Sequence, residues 1–499
     1  DKAGRRSNSC LHTTKRGSAR LVIESEPPFA LGSSAAGGHL FMTNDAGNST
    51  SQLSLTRNFI WTFAGNAVYA LCQWAAVVCL AKLGSAEMVG EFALALAIAF
   101  PITFIANLQL RVLFVTDHST LYPFGQILGL RFVLGMVAVC ALVATCKIAG
   151  YSRNIALLIL MVAAAQLTDC LSENYYGISQ RYERMDRIAR SQILRSLLSV
   201  VFLAIAVHYW GNLLLAAAGL VLGRALILFG YDAAKSTFAL SAAVPTLAAG
   251  DDTRATAIRF VDRIRPSWDL RNQLRMAWIA LPLGTASMLI SLNANMPRFF
   301  IQHFFGSRDV GIYSALSYIP TGCILTATAL GQAVFARLSR YYAFGQNRSF
   351  NLLMIKAACC CGAVGVTMLL VSAIAGHRML MMLYRPEYAE HTSLLLWLGA
   401  GATVGCMAVS LGCTMTATLH FKEQVPLLLV VLLSSFVACL FLIPRFGLLG
   451  GALAALVSMT TQLFGSALVI CYAIRNRSKQ PSCSLPAGLR PAFETDPEG

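Results

Sequence analysis

The sequence predicts an all-α polytopic membrane protein, with about twelve transmembrane helices in two six-helix lobes around a central cavity. Three observations predict it: too little charge for a soluble surface, apolar runs long enough to cross a bilayer, and a repeat relating the two halves. Of the 499 residues, 56% are hydrophobic and 12% charged, and the mean hydropathy is +0.62. Soluble domains carry about 25% charged residues. Apolar stretches recur along the chain at the length of about 20 residues needed to span some 30 Å of hydrocarbon as helix.

The elements follow in order. Residues 1–55 are rich in Ser, Gly, Asn and Arg and have no apolar period able to build a core. They lack the compact apolar segment of a signal peptide. They are expected to be a disordered extension, and because the chain begins with Asp rather than Met they read as a fragment or a miscalled start. Twelve spans are predicted at about 57–80, 88–113, 123–147, 153–177, 191–209, 212–232, 274–302, 310–336, 349–376, 388–418, 423–443 and 447–474. Residues 56–232 form the expected first lobe, 233–273 a hydrophilic cytoplasmic connection, 274–475 the second lobe and 476–499 a cytoplasmic tail.

The net charge of +16, from 39 basic and 23 acidic residues, would suggest nucleic acid in a soluble protein. In this one it reads as Lys and Arg held in cytoplasmic loops, with no nucleic acid as partner. Arg181, Arg184, Arg187 and Arg190 flank the fourth connection, Arg254, Arg259 and Arg263 lie in the sixth, and Arg337, Arg340 and Arg348 flank the eighth. The opposite side is poorer in basic residues, so both termini are expected in the cytoplasm. The 15 Cys lie mostly inside apolar runs and form no pair of CxxC motifs, so neither a disulfide framework nor a zinc site is favoured. No HExxH occurs, and no cofactor or metal is expected.

The halves look related. "LGSAEMVGEFALALAI" (Leu83 to Ile98) and "FGSRDVGIYSALSYI" (Phe305 to Ile319) align with one gap as Gly-Ser, an acid, Val-Gly, then a small-residue helix. "YWGNLLLAAAGL" from Tyr209 and "RFGLLGGALAAL" from Arg445 are matching aromatic-Gly turns into helices of Leu and Ala. Parallel six-helix repeats about an axis along the membrane normal are a transporter architecture, with the pathway between halves.

Polar residues inside the spans mark candidate binding positions. Asn66, Tyr69 and Gln73 share one face of span 1 by helical spacing. Arg224 falls within about 3 Å of the midplane, and Arg131, Asp169 and Arg195 roughly 6–8 Å to its cytoplasmic side. Asn293 and Asn295 lie on the outer half of span 7. A charge at such depth costs about 2.5–3.5 kcal/mol and is normally paired or faces a watery cavity. Asp169, the only acid placed deep by this count, reads either as the counter-ion locking spans 3 to 5 or as an ion-coupling acid in a cationic cavity wall. In "NLQLRVLFVTD" (Asn107 to Asp117), Asn107 sits about 10 Å and Arg111 about 16 Å from the midplane. Arg111 either snorkels to the interface or, with Asn107 and Gln109, forms the inner mouth of a pathway.

The segments "SLTRNFIWTFAGNAVYALCQW", "NLQLR…TD", "GISQRYERMDRIARSQILR", "MPRFFIQHFFGSRDVGIYSALSYI" and "IPRFGLLGGALAALVS" carry a resemblance. It runs from about Leu55 to Ile474. The chain resembles the polysaccharide biosynthesis (O-antigen type) flippases of the multidrug/oligosaccharidyl-lipid/polysaccharide exporter superfamily. The resemblance implies a bacterial inner-membrane protein, not an enzyme, that flips an undecaprenyl-pyrophosphate-linked oligosaccharide to the periplasmic leaflet by alternating access. It implies lipid-linked oligosaccharide and membrane lipid as partners, with a glycan polymerase and a chain-length regulator as further candidates. Substrate residues vary across the family, so Arg131 and Arg224 rest on the depth estimate and not on a motif. The alternative is a multidrug or small-metabolite antiporter of the same superfamily. A membrane glycan polymerase would have a large outer loop, and an acyltransferase a deep His; the sequence has neither.

Overall fold

The computed structural model describes residues 55–116, 124–181, 184–234, 266–418 and 423–477. The expected N-terminal extension up to residue 54, the central part of the 233–273 connection with Arg254, Arg259 and Arg263, and the tail from residue 478 lie outside the described residues. Among the described residues all regular structure is helical, and 12 helical segments are long and apolar enough to cross a membrane.

The first lobe comprises α1 (Leu55–Leu83), α2 (Ala86–Asn107), the short α3 (Leu110–Thr116), α4 (Phe124–Ile148), α5 (Arg153–Arg181), α6 (Met185–Trp210) and α7 (Leu213–Ile227). A π-helical turn, Leu228–Ala233, continues α7. The second comprises α8 (Leu270–Phe304), α9 (Ser307–Ala343), α10 (Asn347–Leu383), the one-turn α11 (Pro386–Ala389), α12 (Thr392–Ala417), α13 (Gln424–Phe446) and α14 (Leu448–Arg477).

Packing repeats between the halves. In the first lobe α1 packs on α6, α6 on α7, α7 on α5, α5 on α2 and α4, and α2 on α4. In the second, α8 packs on α13, α13 on α14, α14 on α12, α12 on α9 and α10, and α9 on α10. Each neighbour pair has its counterpart, as the sequence repeat predicts. The outward faces carry large apolar side chains such as Phe63, Met136, Phe229, Trp278 and Leu468, more than half exposed, as a lipid-facing surface requires.

The lobes meet where α2 crosses α9, and the crossing uses the glycines of the two Val-Gly repeats. A Cβ placed on Gly90 would lie 1.7 Å from the Ser307 carbonyl oxygen, and one on Gly311 1.9 Å from that of Ala86. Only glycine allows this backbone approach. A single buried cluster runs through the crossing, from Leu80, Leu94 and Ile159 to Ile301, Leu316 and Leu394. The pseudo-twofold is broken beside it: α2 packs extensively along α8, whereas α1 and α9 touch sparingly.

Two spans depart from the sequence reading. Span 2 is broken, because Leu108 (φ 48°) and Gln109 (φ 52°) adopt the left-handed conformation between α2 and α3. Successive non-glycine residues there are strained. The predicted span 388–418 divides into α11 and α12. Elsewhere helices outrun their apolar cores; α6 begins at Met185 rather than 191. Apolar runs mark the part of a helix that meets lipid, and backbone hydrogen bonding carries it further into polar surroundings.

Candidate functional site

The polar residues of the first lobe converge on one face of α5, where Gln166, Asp169, Glu173 and Asn174 recur at helical spacing. Two arginines reach Asp169. Arg195 of α6 places Nη1 3.1 Å from Oδ1, and Arg224 of α7 places Nη1 2.8 Å from Oδ2. All three side chains are largely buried, at 7%, 8% and 14% relative exposure for Arg195, Arg224 and Asp169. One carboxylate serves two guanidinium groups, and the trio retains a net positive charge.

Arg131 goes elsewhere. The sequence reading set it at the same depth as Asp169, but its Nη1 donates 2.7 Å to the Asn107 carbonyl oxygen and also to Asn107 Oδ1. Its Nε and Nη2 donate to Asn174 Oδ1 at 3.3 and 3.1 Å. The broken end of α2 explains this: the left-handed pair leaves terminal carbonyls open at the negative end of a helix, and a buried guanidinium there satisfies them. Asn107 Nδ2 in turn donates to Glu173 Oε2 at 3.0 Å. Depth along a helix says nothing about the direction a side chain faces, and the direction chose the partners.

Arg111 donates through Nε to Gln180 Oε1 at 2.9 Å and lies 5.7 Å from the centre of the Tyr176 ring, with Arg195 5.6 Å from the same ring. Tyr176 shares a hydrogen bond of 2.7 Å with Ser191. Arg111 is therefore tied into the lobe instead of extending freely to the interface. Gln109 reaches the second lobe, donating to Ser287 Oγ at 3.3 Å.

Other predicted residues separate into groups. Tyr69 and Gln73 are joined by a 2.8 Å hydrogen bond and, with Arg195 and Arg224, line a narrow cleft between α1, α6 and α7. A second cleft, toward α2 and α5, shares Gln73 and Arg224 and adds Gln166. Asn66 is exposed on α1 and lines neither cleft. Asn293 accepts from Ser458 of α14 at 3.0 Å, and Asn295 accepts from Arg298 while donating to the Ser291 carbonyl at 2.8 Å. These two belong to the second lobe.

The sequence reading missed three residues. Glu173 and Asn174 follow Asp169 at helical spacing, a signal that polar periodicity along α5 carries. Asp232, counted at the edge of the 6–7 connection, is only 4% exposed, because the π-helical turn carries it inward to Ser172 and Ser191. Asp169 is thus one of several acids in this core rather than the only one.

At the end away from residues 55 and 477 the lobes are tied by polar contacts. Trp74 Nε1 donates to Tyr384 Oη (3.2 Å), which donates to the Ala315 carbonyl (3.0 Å). Lys82 Nζ donates to the Met382 carbonyl (2.7 Å), and Arg385 Nη2 to that of Lys82 (3.1 Å). Burial pushes the Tyr384 phenol up to about 12, so it remains a donor at neutral pH. At the other end Ser267 N donates to the Gly125 carbonyl at 2.9 Å.

Comparison with known proteins places this architecture. Residues 55–342, the whole first lobe and the first two helices of the second, match the family described as polysaccharide biosynthesis proteins. The chain belongs to the polysaccharide biosynthesis protein family. The capsular polysaccharide biosynthesis protein CapF of Staphylococcus aureus is 24% identical over 409 residues, covering 82% of this chain and 97% of that protein. Among solved structures, the lipid II flippase MurJ in an inward closed conformation aligns with a TM-score of 0.63 at 14% identity, over 85% of this chain and 90% of its own. An inward-facing multidrug resistance MATE family transporter of the MOP superfamily aligns with a TM-score of 0.60 at 13% identity, over 84% and 100%. At these identities the structures establish a shared fold. In this polysaccharide biosynthesis family member, that fold surrounds an arginine-rich core in the first lobe.

Proposed function

We propose that this protein flips an undecaprenyl-pyrophosphate-linked oligosaccharide from the cytoplasmic to the periplasmic leaflet of the bacterial inner membrane, by alternating access, with both termini cytoplasmic. The observation that carries the reading is the buried Arg195–Asp169–Arg224 cluster in a member of a polysaccharide biosynthesis family. A phosphate-bearing glycan crosses hydrocarbon too slowly unaided, because its charges lose water with nothing in return. A cleft lined by Arg195, Arg224, Tyr69 and Gln73 supplies cationic and hydrogen-bonding groups in place of that water.

In this reading Asn107, Arg111 and Arg131 shape the cytoplasmic mouth, and the sparse seam between α1 and α9 lets the lipid tail stay in the bilayer. Asn66, Asn293 and Asn295 contribute hydrogen bonds to sugar as the lobes move. Asp169 couples the cycle to a cation gradient by exchanging its arginine contacts for water between states. The work is non-covalent, so no cofactor and no enzymatic step are required. A glycan polymerase and a chain-length regulator would receive the product.

The test is reconstitution in proteoliposomes with a fluorescent undecaprenyl-pyrophosphate oligosaccharide on one leaflet. Protein-dependent appearance of the glycan on the other leaflet supports the reading. Efflux of cationic drugs without glycan movement would instead favour the antiporter alternative, whose fold is shared.

A further inference from the structure

Arg195 and Arg224 of the first lobe share the Asp169 carboxylate, and Arg131, which also lacks a carboxylate, is satisfied through all three guanidinium nitrogens by Asn107 and Asn174. Arg298 of α8 is not. Among the described residues no carboxylate lies within 4.0 Å of its guanidinium nitrogens. Its partners are neutral: Nη1 donates to Asn295 Oδ1, and Nη2 to Ser317 Oγ at 3.4 Å. The Tyr318 ring lies beneath it at 5.9 Å. Nε is buried with no acceptor. By helical rise the residue sits about 9 Å inside the end of α8 at Phe304.

A half-buried guanidinium with a spare N–H and no counter-ion is an expensive thing to keep within a membrane span. Its position has a second meaning. Counted back from the matching Gly-Ser turns, Arg298 stands where α1 has Ala76, and Asn295 where α1 has Gln73. Gln73 and Ala76 line both first-lobe clefts. The repeat therefore places a cation in the second lobe at the position that is cleft wall in the first. Tyr318 belongs to α9, the helix that meets α1 along the sparse seam between the lobes.

We infer that Arg298, with Ser317 and Tyr318 beside it, is an anion-binding position on the second lobe that receives a phosphate or pyrophosphate ester. The inference rests on the flippase reading and assigns the phosphate to a residue that reading does not use. Nε, buried without an acceptor, and Nη2, held only by a 3.4 Å bond to Ser317, form one edge of the guanidinium, the edge that grips phosphate oxygens in a fork once the seam between the lobes opens. A neutral surrounding suits a ligand that must also leave, since no fixed carboxylate competes with it and a single cation holds it.

The test measures binding of two probes, inorganic pyrophosphate and undecaprenyl pyrophosphate, to purified full-length protein in nanodiscs. Arg298→Gln is expected to weaken binding roughly ten- to hundredfold per folded molecule, and Arg298→Lys to recover part of it. Loss for both probes assigns recognition to the phosphates themselves; loss for the lipid probe alone assigns it to the lipid-borne headgroup. If Arg298→Gln binds both probes as wild type does while Arg224→Gln does not, the anion is met in the first lobe and the inference falls, leaving the flippase reading intact. If Arg298→Gln only lowers the folded fraction, with binding per folded molecule unchanged, the residue is structural and the inference again falls. A wild-type protein that binds neither probe overturns the flippase reading, and the inference with it.

Discussion

Replacing Gly90 by Ala tests the account of how the lobes meet. The added Cβ would stand 1.7 Å from the Ser307 carbonyl oxygen and 2.6 Å from its carbon, both backbone atoms that no rotamer change can move aside. Carbon and oxygen approach no closer than about 3.3 Å even in favourable C–H···O contacts, so α2 and α9 must part by roughly 1.5 Å at the crossing. A gap of about 0.5–1 Å already forfeits a quarter to a half of each dispersion contact, and the loss spreads to Val89, Val310 and Ile312, all in the cluster around the crossing. The expected destabilisation is at the top of the overpacking range, about 3 kcal/mol, with a fall in melting temperature on the order of 5 °C. Gly311→Ala, 1.9 Å from the Ala86 carbonyl oxygen, should behave alike. Gly412→Ala in α12 is the control: nothing lies within 4 Å of its Cβ position, and removing a helix-interior glycine should be neutral or stabilising by up to about 1 kcal/mol. Thermal unfolding of the purified variants in detergent reads all three. If Gly90→Ala melts with wild type, the two backbones do not touch there and the reasoning fails.

Asp169→Asn should destabilise by about 3–5 kcal/mol, because Arg195 and Arg224 are left buried without their shared counter-ion; unchanged thermal unfolding would show that the pair does not hold the lobe. Where enough folded variant remains, its response to an imposed proton or sodium gradient in proteoliposomes checks the coupling role. Gln109→Asn should raise the melting temperature slightly, since Asn tolerates a φ of 52° better than Gln; a clear fall would mean that the bond to Ser287 outweighs the strain. Reporter fusions in the Phe344–Gln346 turn should be active only as cytoplasmic reporters, and fusions near Gly150 only as periplasmic ones; the reverse pattern would invert the proposed orientation.

The family and the helical membrane fold were legible in the sequence, because both rest on local patterns. An apolar run of span length has few alternatives in a bilayer, and the Gly-Ser and Val-Gly repeats survive as short strings around which each lobe is built. Gly90 and Gly311 show how closely pattern and packing agree: the same dipeptide recurs because the lobes touch at that dipeptide.

Partner choice among the polar residues needed the tertiary structure. Counting residues along a helix yields depth, and Arg131, Asp169 and Arg195 share a depth. It does not yield the direction in which a side chain leaves its helix, nor which helix stands opposite. Packing α7 on α5 delivered Arg224 to Asp169, and a break after Asn107 drew Arg131 to the end of α2. Nothing in "NLQLR" contains a Gly or Pro to announce that break; long-range contacts with α4, α5 and α8 hold Leu108 and Gln109 in a conformation their side chains disfavour. Arg298, in sequence one more basic residue near a span end, becomes a cation with a buried, unpaired N–H only when α9 is set against α8. Backbone hydrogen bonding and apolar run length act within one helix and are written along the chain, whereas a charge finds its partner across helices, and only the assembled bundle decides which.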